Sequence, residues 1–400
     1  MSETHSSSVK TLASFISQKA NAIPSSGIRK FFDLLSSLEG VISLGVGEPD
    51  FVTPWHIREA ATYSLERGYT MYTSNYGLPE LRQELAKYLN LHYGLSYHPA
   101  HEILITVGVS EGLDLTLRAI LNPGDEVIIP DPCYVAYPPD IILAGGVPIP
   151  IPTHEENNFV IKARDIETRI TKQTKAILIG YPANPTGAVM PKEELSEIAE
   201  LAQRYKLLVI SDEIYARLVY GVDHTCFASL PGMKEQTILL GGFSKSYAMT
   251  GWRIGYIAAN QQFIEAATKI HQYTMLCAPT MAQMAAIEAV KNGESEIERM
   301  VQEYDRRRRV MVKRLNEIGL PCLEPKGAFY TFPSINATGM SSAEFTEKLL
   351  IEEKVAVVPG STFGQCGEGF IRCCYATSLP NIEEALSRMG RFVKKRKVRD

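Results

Sequence analysis

Lys245 is the residue around which chemistry can be built in this chain. It stands in the run Thr237-Ile-Leu-Leu-Gly-Gly-Phe-Ser-Lys-Ser-Tyr-Ala-Met-Thr-Gly-Trp-Arg253. The apolar stretch from Ile238 to Leu240 breaks at Gly241-Gly242 and delivers Ser244 and Lys245 to a turn. A lysine at the end of a buried strand is costly unless it has a partner or a covalent task. Desolvation lowers its pKa, and the neutral amine is a nucleophile able to form a Schiff base. Ser244 just before it and Arg253 beyond it are suited to hold a phosphate. An amine beside a phosphate site points to pyridoxal phosphate, which is both an aldehyde and a phosphate ester. A P-loop-like or plain surface turn is the alternative for this stretch taken alone.

Other segments bring complementary groups. Asp212, in Val209-Ile-Ser-Asp-Glu-Ile-Tyr215, stands where an apolar run ends. A carboxylate at the carboxyl end of a strand can pair with a protonated pyridine nitrogen, or simply cap a helix. Tyr215 follows three residues on, and its hydroxyl could reach the ring's phenolic oxygen. Asn184, in Tyr181-Pro-Ala-Asn-Pro-Thr-Gly187, sits in a rigid loop and offers amide donors to that same oxygen; an Asn-Pro turn needs no such role. Gly108-Val109-Ser110 closes one apolar run and opens a helical one, where backbone N–H groups and a hydroxyl suit phosphate or merely cap the helix. Tyr134, after Pro132, could stack on a flat ring or pack ordinarily. Arg372 lies within the apolar Phe370-Ile-Arg-Cys-Cys-Tyr375 and needs an anion. Its fork matches a substrate α-carboxylate, with a structural ion pair as the competing reading.

The elements that must position these groups follow from periodicity. From Glu102 onward, short continuously apolar runs alternate with helical patterns: Ile103 to Val107, Glu126 to Ile129, Val147 to Ile151, Ala176 to Gly180, Leu207 to Ser211, Ile238 to Gly241 and Ile254 to Ala258. Such runs predict an α/β fold with a mainly parallel seven-stranded sheet covered by helices on both faces. Helices are expected over Leu12 to Ile23, Pro54 to Arg67, Leu78 to Tyr93, Lys192 to Tyr205, Gln262 to Asn292 with a break at Pro279, and Ser295 to Ile318. Ser25-Ser26-Gly27 marks a turn into a further helix at Ile28 to Phe31, Tyr69 to Gly77 a loop, and residues 1 to about 10 a disordered start. Ala328 to Phe332, Val355 to Val358 and Phe370 to Tyr375 predict the strands of a smaller α/β domain. The division expected is 1–45 as N-terminal arm and helices joining the small domain, 46–290 as the large cofactor-binding domain and 291–400 as the small C-terminal domain.

Composition narrows the class. The chain has 400 residues, 45% hydrophobic and 22% charged, with a formal net charge of -4, as in an ordinary globular enzyme with no electrostatic case for nucleic acid. The run Arg306 to Arg309 is surrounded by acidic residues, and Lys394 to Lys397 ends a helical pattern; both read as solvated or interface faces. Seven cysteines without a CxxC pair are read as reduced thiols, and no metal site is expected. No apolar run approaches the roughly 20 residues of a membrane span, so no membrane partner and a cytoplasmic location are expected.

Taken as an ordered set, these residues resemble the class I/II family of fold-type I pyridoxal-phosphate-dependent aminotransferases from about Ile28 to the C-terminus. The set comprises Gly-Glu-Pro-Asp (47–50), Tyr72, Asn-Pro-Thr-Gly (184–187), Ser-Asp-Glu-Ile-Tyr (211–215), Ser-Lys (244–245), Met-Thr-Gly-Trp-Arg-Ile-Gly (249–255) and Arg372. The resemblance implies Lys245 as the Schiff-base and proton-transfer lysine, with Asp212 as the pyridinium partner. Asn184 and Tyr215 would meet the ring oxygen, and Tyr134 its face. Ser110, Ser244 and Arg253, with the backbone at Gly108 and Val109, would hold the phosphate. Tyr72 would reach it from a second subunit of a homodimer, while Gly47, Asn184 and Arg372 would bind the substrate. The implied reaction is a ping-pong transfer of an amino group from an L-amino acid to a 2-oxo acid such as 2-oxoglutarate.

Ser-Gly-Ile-Arg-Lys-Phe (26–31), Pro-Lys-Gly-Ala-Phe-Tyr (325–330) and Val-Val-Pro-Gly-Ser-Thr-Phe-Gly (357–364) resemble the aspartate/aromatic branch, with aromatic or broad-range donors expected. Aspartate-specific relatives can carry lysine at the place of Ser110. Aspartate or acyl-diaminopimelate-type transfer and a β-lyase on the same fold are the alternatives. Tyr72, Tyr76 and Phe329 are candidates to line a side-chain pocket. A transcription regulator on this fold would need a DNA-binding domain of about 60 residues ahead of the match, so an enzyme is expected.

Overall fold

The computed structural model describes residues 15–23 and 39–396. In chain order they form α1 (Gln18–Ala22), β1 (Ile42–Ser43), α2 (Trp55–Glu66), α3 (Pro79–Tyr93), β2 (Ile103–Thr106), α4 (Gly108–Ile120), β3 (Glu126–Asp131), α5 (Tyr137–Ala144), β4 (Val147–Pro152), α6 (Ala163–Glu167), β5 (Thr174–Ile179) and α7 (Lys192–Tyr205). Then come β6 (Leu208–Asp212), β7 (Thr237–Gly242), β8 (Gly255–Ala258), α8 (Gln261–Thr274), α9 (Thr280–Asn292), α10 (Glu294–Ile318), β9 (Tyr330–Thr331), α11 (Ser342–Glu353), β10 (Val355–Ala356), β11 (Val358–Pro359), β12 (Ile371–Cys374) and α12 (Leu379–Lys394). The turn and helix expected over 25–31, the residues before 15 and the end of the basic C-terminal run lie outside the described residues.

The seven apolar runs become one sheet in the order β2-β8-β7-β6-β5-β3-β4. Neighbours from β7 through β4 pair in parallel, while β8 runs antiparallel to both β2 and β7. Period-two geometry explains why these strands are apolar throughout. In β5, Ile177 and Ile179 pack with Leu195, Ile198 and Ala202 of α7. The alternate residues Ala176 and Leu178 pack with Leu113 and Leu117 of α4. The carboxyl ends of β3, β5, β6 and β7 therefore open side by side along one edge.

A second core gathers Tyr304, Met311 and Leu315 of α10, Phe345 and Leu349 of α11, and Ile382, Met389 and Phe392 of α12. Ser341 caps α11 by accepting the Glu344 N–H at 3.2 Å, and Gly319 ends α10 in the left-handed region at φ 85°. Beside this core lie the sheet β11-β12-β9, which carries Arg372, and the parallel pair β1–β10, which ties residues 42–43 to 355–356.

Two expectations need correction. The strand expected over 355–358 is two strands in different sheets, because Val355–Ala356 pairs with β1 and Val358–Pro359 turns to β12. The four-arginine run is only half a solvated face. Helical geometry turns Arg307 and Arg308 inward, where both are buried. Arg307 binds Asp50 at 2.8 Å and Glu303 at 2.8 Å, and Arg308 binds Asp305 and Glu324, each at 2.6 Å. Arg307 thereby anchors the 47–50 loop to α10.

Candidate active site

At the sheet's carboxyl edge lies a cavity of about 300 Å³. β6 ends on Asp212, β7 leads to Ser244 and Lys245, and the loop after β5 carries Asn184. Tyr134 enters from the loop after β3, Val109 and Ser110 from the start of α4, and Arg253 from just before β8. Tyr215, Gly47 and Arg372 complete the wall. Gly108 stands behind Arg253: a β-carbon there would lie 2.7 Å from the guanidinium, and its φ of +75° also favours glycine.

Electrostatics distinguish the ends of the cavity. The Lys245 amine donates to the Gly47 carbonyl at 2.7 Å, and burial pushes its pKa down to about 8. The buried Asp212 carboxyl is pushed up to about 6 by desolvation, against the pull of hydrogen bonds from Tyr137 (2.9 Å) and the Ile214 N–H (3.2 Å). Burial and the neighbouring Tyr330 hold the Tyr215 hydroxyl well above its ordinary pKa, so it stays protonated; the two hydroxyls are 2.7 Å apart. Arg372 is buried, donating to Asn184 Oδ1 at 2.8 Å and to the Gly45 carbonyl at 2.7 Å. Its guanidinium lies over the Tyr330 ring at 4.5 Å and over the Phe363 ring at 4.9 Å. Its Nε is buried without a hydrogen-bond partner, and no carboxylate pairs with it among the described residues. A buried cation with neutral partners is expensive and calls for an anionic ligand.

This pattern fits pyridoxal phosphate. Ser110, Ser244 and Arg253 flank the first turn of α4, whose leading N–H groups have no side-chain cap. Asp212 and Lys245 both line this cavity, where the carboxyl could meet a pyridinium and the amine an aldehyde. The Oδ1 of Asn184 is engaged by Arg372, which leaves its amide N–H group as the donor.

Several residues fall elsewhere. Tyr72 is 82% exposed and does not line the cavity. Phe329 is fully buried beneath Lys245, its ring 5.7 Å from the amine, and Tyr76 packs near Arg82 and the α4 core. None of these three lines the pocket of the single chain. Conversely, Tyr137, Asp140, Gly180 and Tyr330 line it without having been singled out as site residues. Gly180 directly follows β5, and a β-carbon there would sit 2.2 Å from the Tyr137 hydroxyl. Tyr137 becomes visible only once β3 and β6 are known to end together.

Residues 39–389 match the family of class I and II aminotransferases. The chain is 56% identical over 384 residues to the protein YugH of Bacillus subtilis (strain 168), covering 96% of this chain and 100% of that one. It is 47% identical over 386 residues to an aspartate aminotransferase of Pyrococcus abyssi, covering 96% and 99%. The solved structure of an aromatic aminotransferase from Pyrococcus horikoshii superposes with a TM-score of 0.88 at 46% identity, over 92% of this chain and 99% of that chain.

Proposed function

The chain belongs to the class I and II aminotransferases, and on that premise we propose that it moves the amino group of an aromatic or broad range of L-amino acids to a 2-oxo acid such as 2-oxoglutarate, with pyridoxal phosphate as cofactor. The observation that carries this is the convergence of Lys245, Asp212 and Arg372 on one cavity, none of them held in a salt bridge among the described residues. When bound, pyridoxal phosphate supplies an aldehyde for the amine and a ring that draws electron density from Cα. Asp212 would keep a proton on the ring nitrogen, and the Tyr215 hydroxyl and Asn184 amide would donate to the ring oxygen. Arg253, Ser110 and Ser244, with the N–H groups at Gly108 and Val109, would hold the phosphate, and Tyr134 would pack on the ring. Arg372 takes the substrate α-carboxylate beside Gly47. Lys245, lowered toward neutral pH, carries the proton to and from the substrate Cα on its Nζ.

Among the lining residues the cations are Lys245, Arg253 and Arg372. With phosphate and α-carboxylate assigned to the two arginines and Lys245 to the aldehyde, no lining cation among the described residues is left for a second carboxylate. That supports an uncharged or aromatic side chain on the donor, and a 2-oxoglutarate acceptor would need its second carboxylate met by neutral donors or by a group from the second subunit. A homodimer with shared sites is part of the proposal, with Tyr72 acting across the interface. Its support is an exposed apolar group, Met71 (78%), Tyr72 (82%), Tyr273 (87%) and Met275 (51%). Thr280 and Asn75 bind this region together through the Met71 and Leu276 carbonyls. The large unit at 46–290, the small unit at 291–400 joined by 1–45, and a cytoplasmic location complete the reading.

The test is a stopped reaction of cofactor-loaded protein with each amino acid in turn and no acceptor. Loss of the visible cofactor band with stoichiometric 2-oxo acid is expected. Pyruvate and ammonia released from cysteine conjugates without that stoichiometry would establish a β-lyase instead.

A further inference from the structure

Asp131 ends β3 and is buried away from the cavity, yet it spans the two cores. Its Oδ2 accepts the Gln365 N–H at 3.1 Å and its Oδ1 the Cys366 N–H at 3.2 Å. Two residues on, the Cys133 N–H donates to the Phe363 carbonyl at 2.9 Å. Burial raises the carboxyl's pKa, while the two N–H groups from the 365–366 turn and the nearby His154 pull it back. The turn is shaped around this carboxylate: Gly364 has φ +137°, and a β-carbon there would lie 1.9 Å from Asp131 Oδ1. The residue at the start of this turn, Phe363, sets its ring against the Arg372 guanidinium at 4.9 Å, as Tyr330 does at 4.5 Å.

We infer that Asp131 is a positioning residue for substrate binding: by clamping the 363–366 turn to the end of β3 it holds the Phe363 ring against Arg372, and so fixes the guanidinium that receives the substrate carboxylate. This rests on the reading of Arg372 as the carboxylate site. Arg372 has only neutral partners, so its orientation depends on two hydrogen bonds and two flanking rings. Removing the clamp frees one of those rings. The effect should fall mainly on carboxylate recognition, since the phosphate grip at Ser110, Ser244 and Arg253 lies on elements that Asp131 does not hold, and Tyr134 on the following loop is braced by the Tyr137 ring.

The experiment titrates the cofactor-loaded, full-length protein with the unreactive carboxylate 3-phenylpropionate, followed by the visible cofactor band. KM and kcat for several donors and acceptors and the Kd for pyridoxal phosphate are measured in parallel. Asp131→Ala should weaken carboxylate binding and raise KM by about tenfold for every substrate, with kcat and cofactor Kd changed by less than about threefold. Asp131→Asn, keeping one acceptor oxygen, should fall between. Gly364→Ala should reproduce the KM increase with the carboxylate still present, which keeps the test open should Asp131→Ala fold poorly. Asp131→Asn combined with Phe363→Leu should be less than additive, because both act through one ring. Unchanged carboxylate affinity in Asp131→Ala, beside its loss in Arg372→Ala, would overturn the inference. Equal weakening of cofactor and carboxylate would overturn it too, as a general structural effect. Undiminished binding in Arg372→Ala would instead overturn the reading of Arg372.

Discussion

Lys245→Met in the cofactor-free protein gives a quantitative test of how the fold treats its lysine. The substitution keeps the length of the side chain and removes the charge. In the folded chain burial lowers the amine's pKa from 10.5 to about 8, so the unfolded chain binds more protons between those values. The sign follows directly: the charged amine destabilises the fold, the penalty is fully present below about pH 8, and it vanishes as pH rises through 10.5. Linkage puts the penalty at up to about 3 kcal/mol at pH 7, about 2 kcal/mol at pH 9 and about 0.4 kcal/mol at pH 10.5. The Gly47 carbonyl bond at 2.7 Å is lost in the variant, as is some packing against Phe329, but those terms vary little with pH. The assay is urea unfolding of wild type and variant across pH 7 to 10.5, compared as a difference so that other titrating groups cancel. The variant should gain on wild type at low pH, and the difference should shrink by about 2 to 3 kcal/mol toward pH 10.5. Parallel curves would refute the premise that the fold desolvates Lys245 and readies it as a nucleophile.

Two further outcomes are expected. Tyr137→Phe removes the 2.9 Å bond that favours ionised Asp212, so the carboxyl should titrate above its present value of about 6. Pyridoxal phosphate should then bind about five- to tenfold more weakly at pH 7, with the deficit narrowing at pH 8.5, as measured by equilibrium dialysis; a pH-independent deficit would point to lost packing. Tyr72→Phe, at a residue 82% exposed in the single chain, should raise the cofactor Kd several-fold (about 1 kcal/mol) while leaving sedimentation as a dimer intact. An unchanged Kd would remove Tyr72 from the shared site.

How much of this was legible in residues alone depends on the length scale of the cause. β5 through β7 could be read because strands buried on both faces must be apolar throughout, and the break at Gly241-Gly242 or at Asp212 marks where the cavity begins. Lys245, Asp212, Asn184 and Arg372 could be proposed because a charged or polar group at such a break needs a chemical reason. Arg307 and Arg308 misled because a charge run gives no sign of which members turn inward; Asp50, which decides it for Arg307, lies 257 residues away. The 355–358 stretch misled because four apolar residues cannot announce that they serve two sheets.

What the sequence by itself determined, then, is the set of strands, the strand ends that carry chemistry, and the identities of the groups gathered there, since each follows from local apolar runs and their interruptions. Only the tertiary structure decided that Tyr137 supports Asp212, that Tyr330 lies between Tyr215 and Arg372, and that Asp131 clamps the turn beneath that arginine. It also decided which way each charge is driven. Desolvation is set by everything packed around a group, and the atoms that bury Lys245 and Asp212 come from strands, helices and loops far apart in the chain.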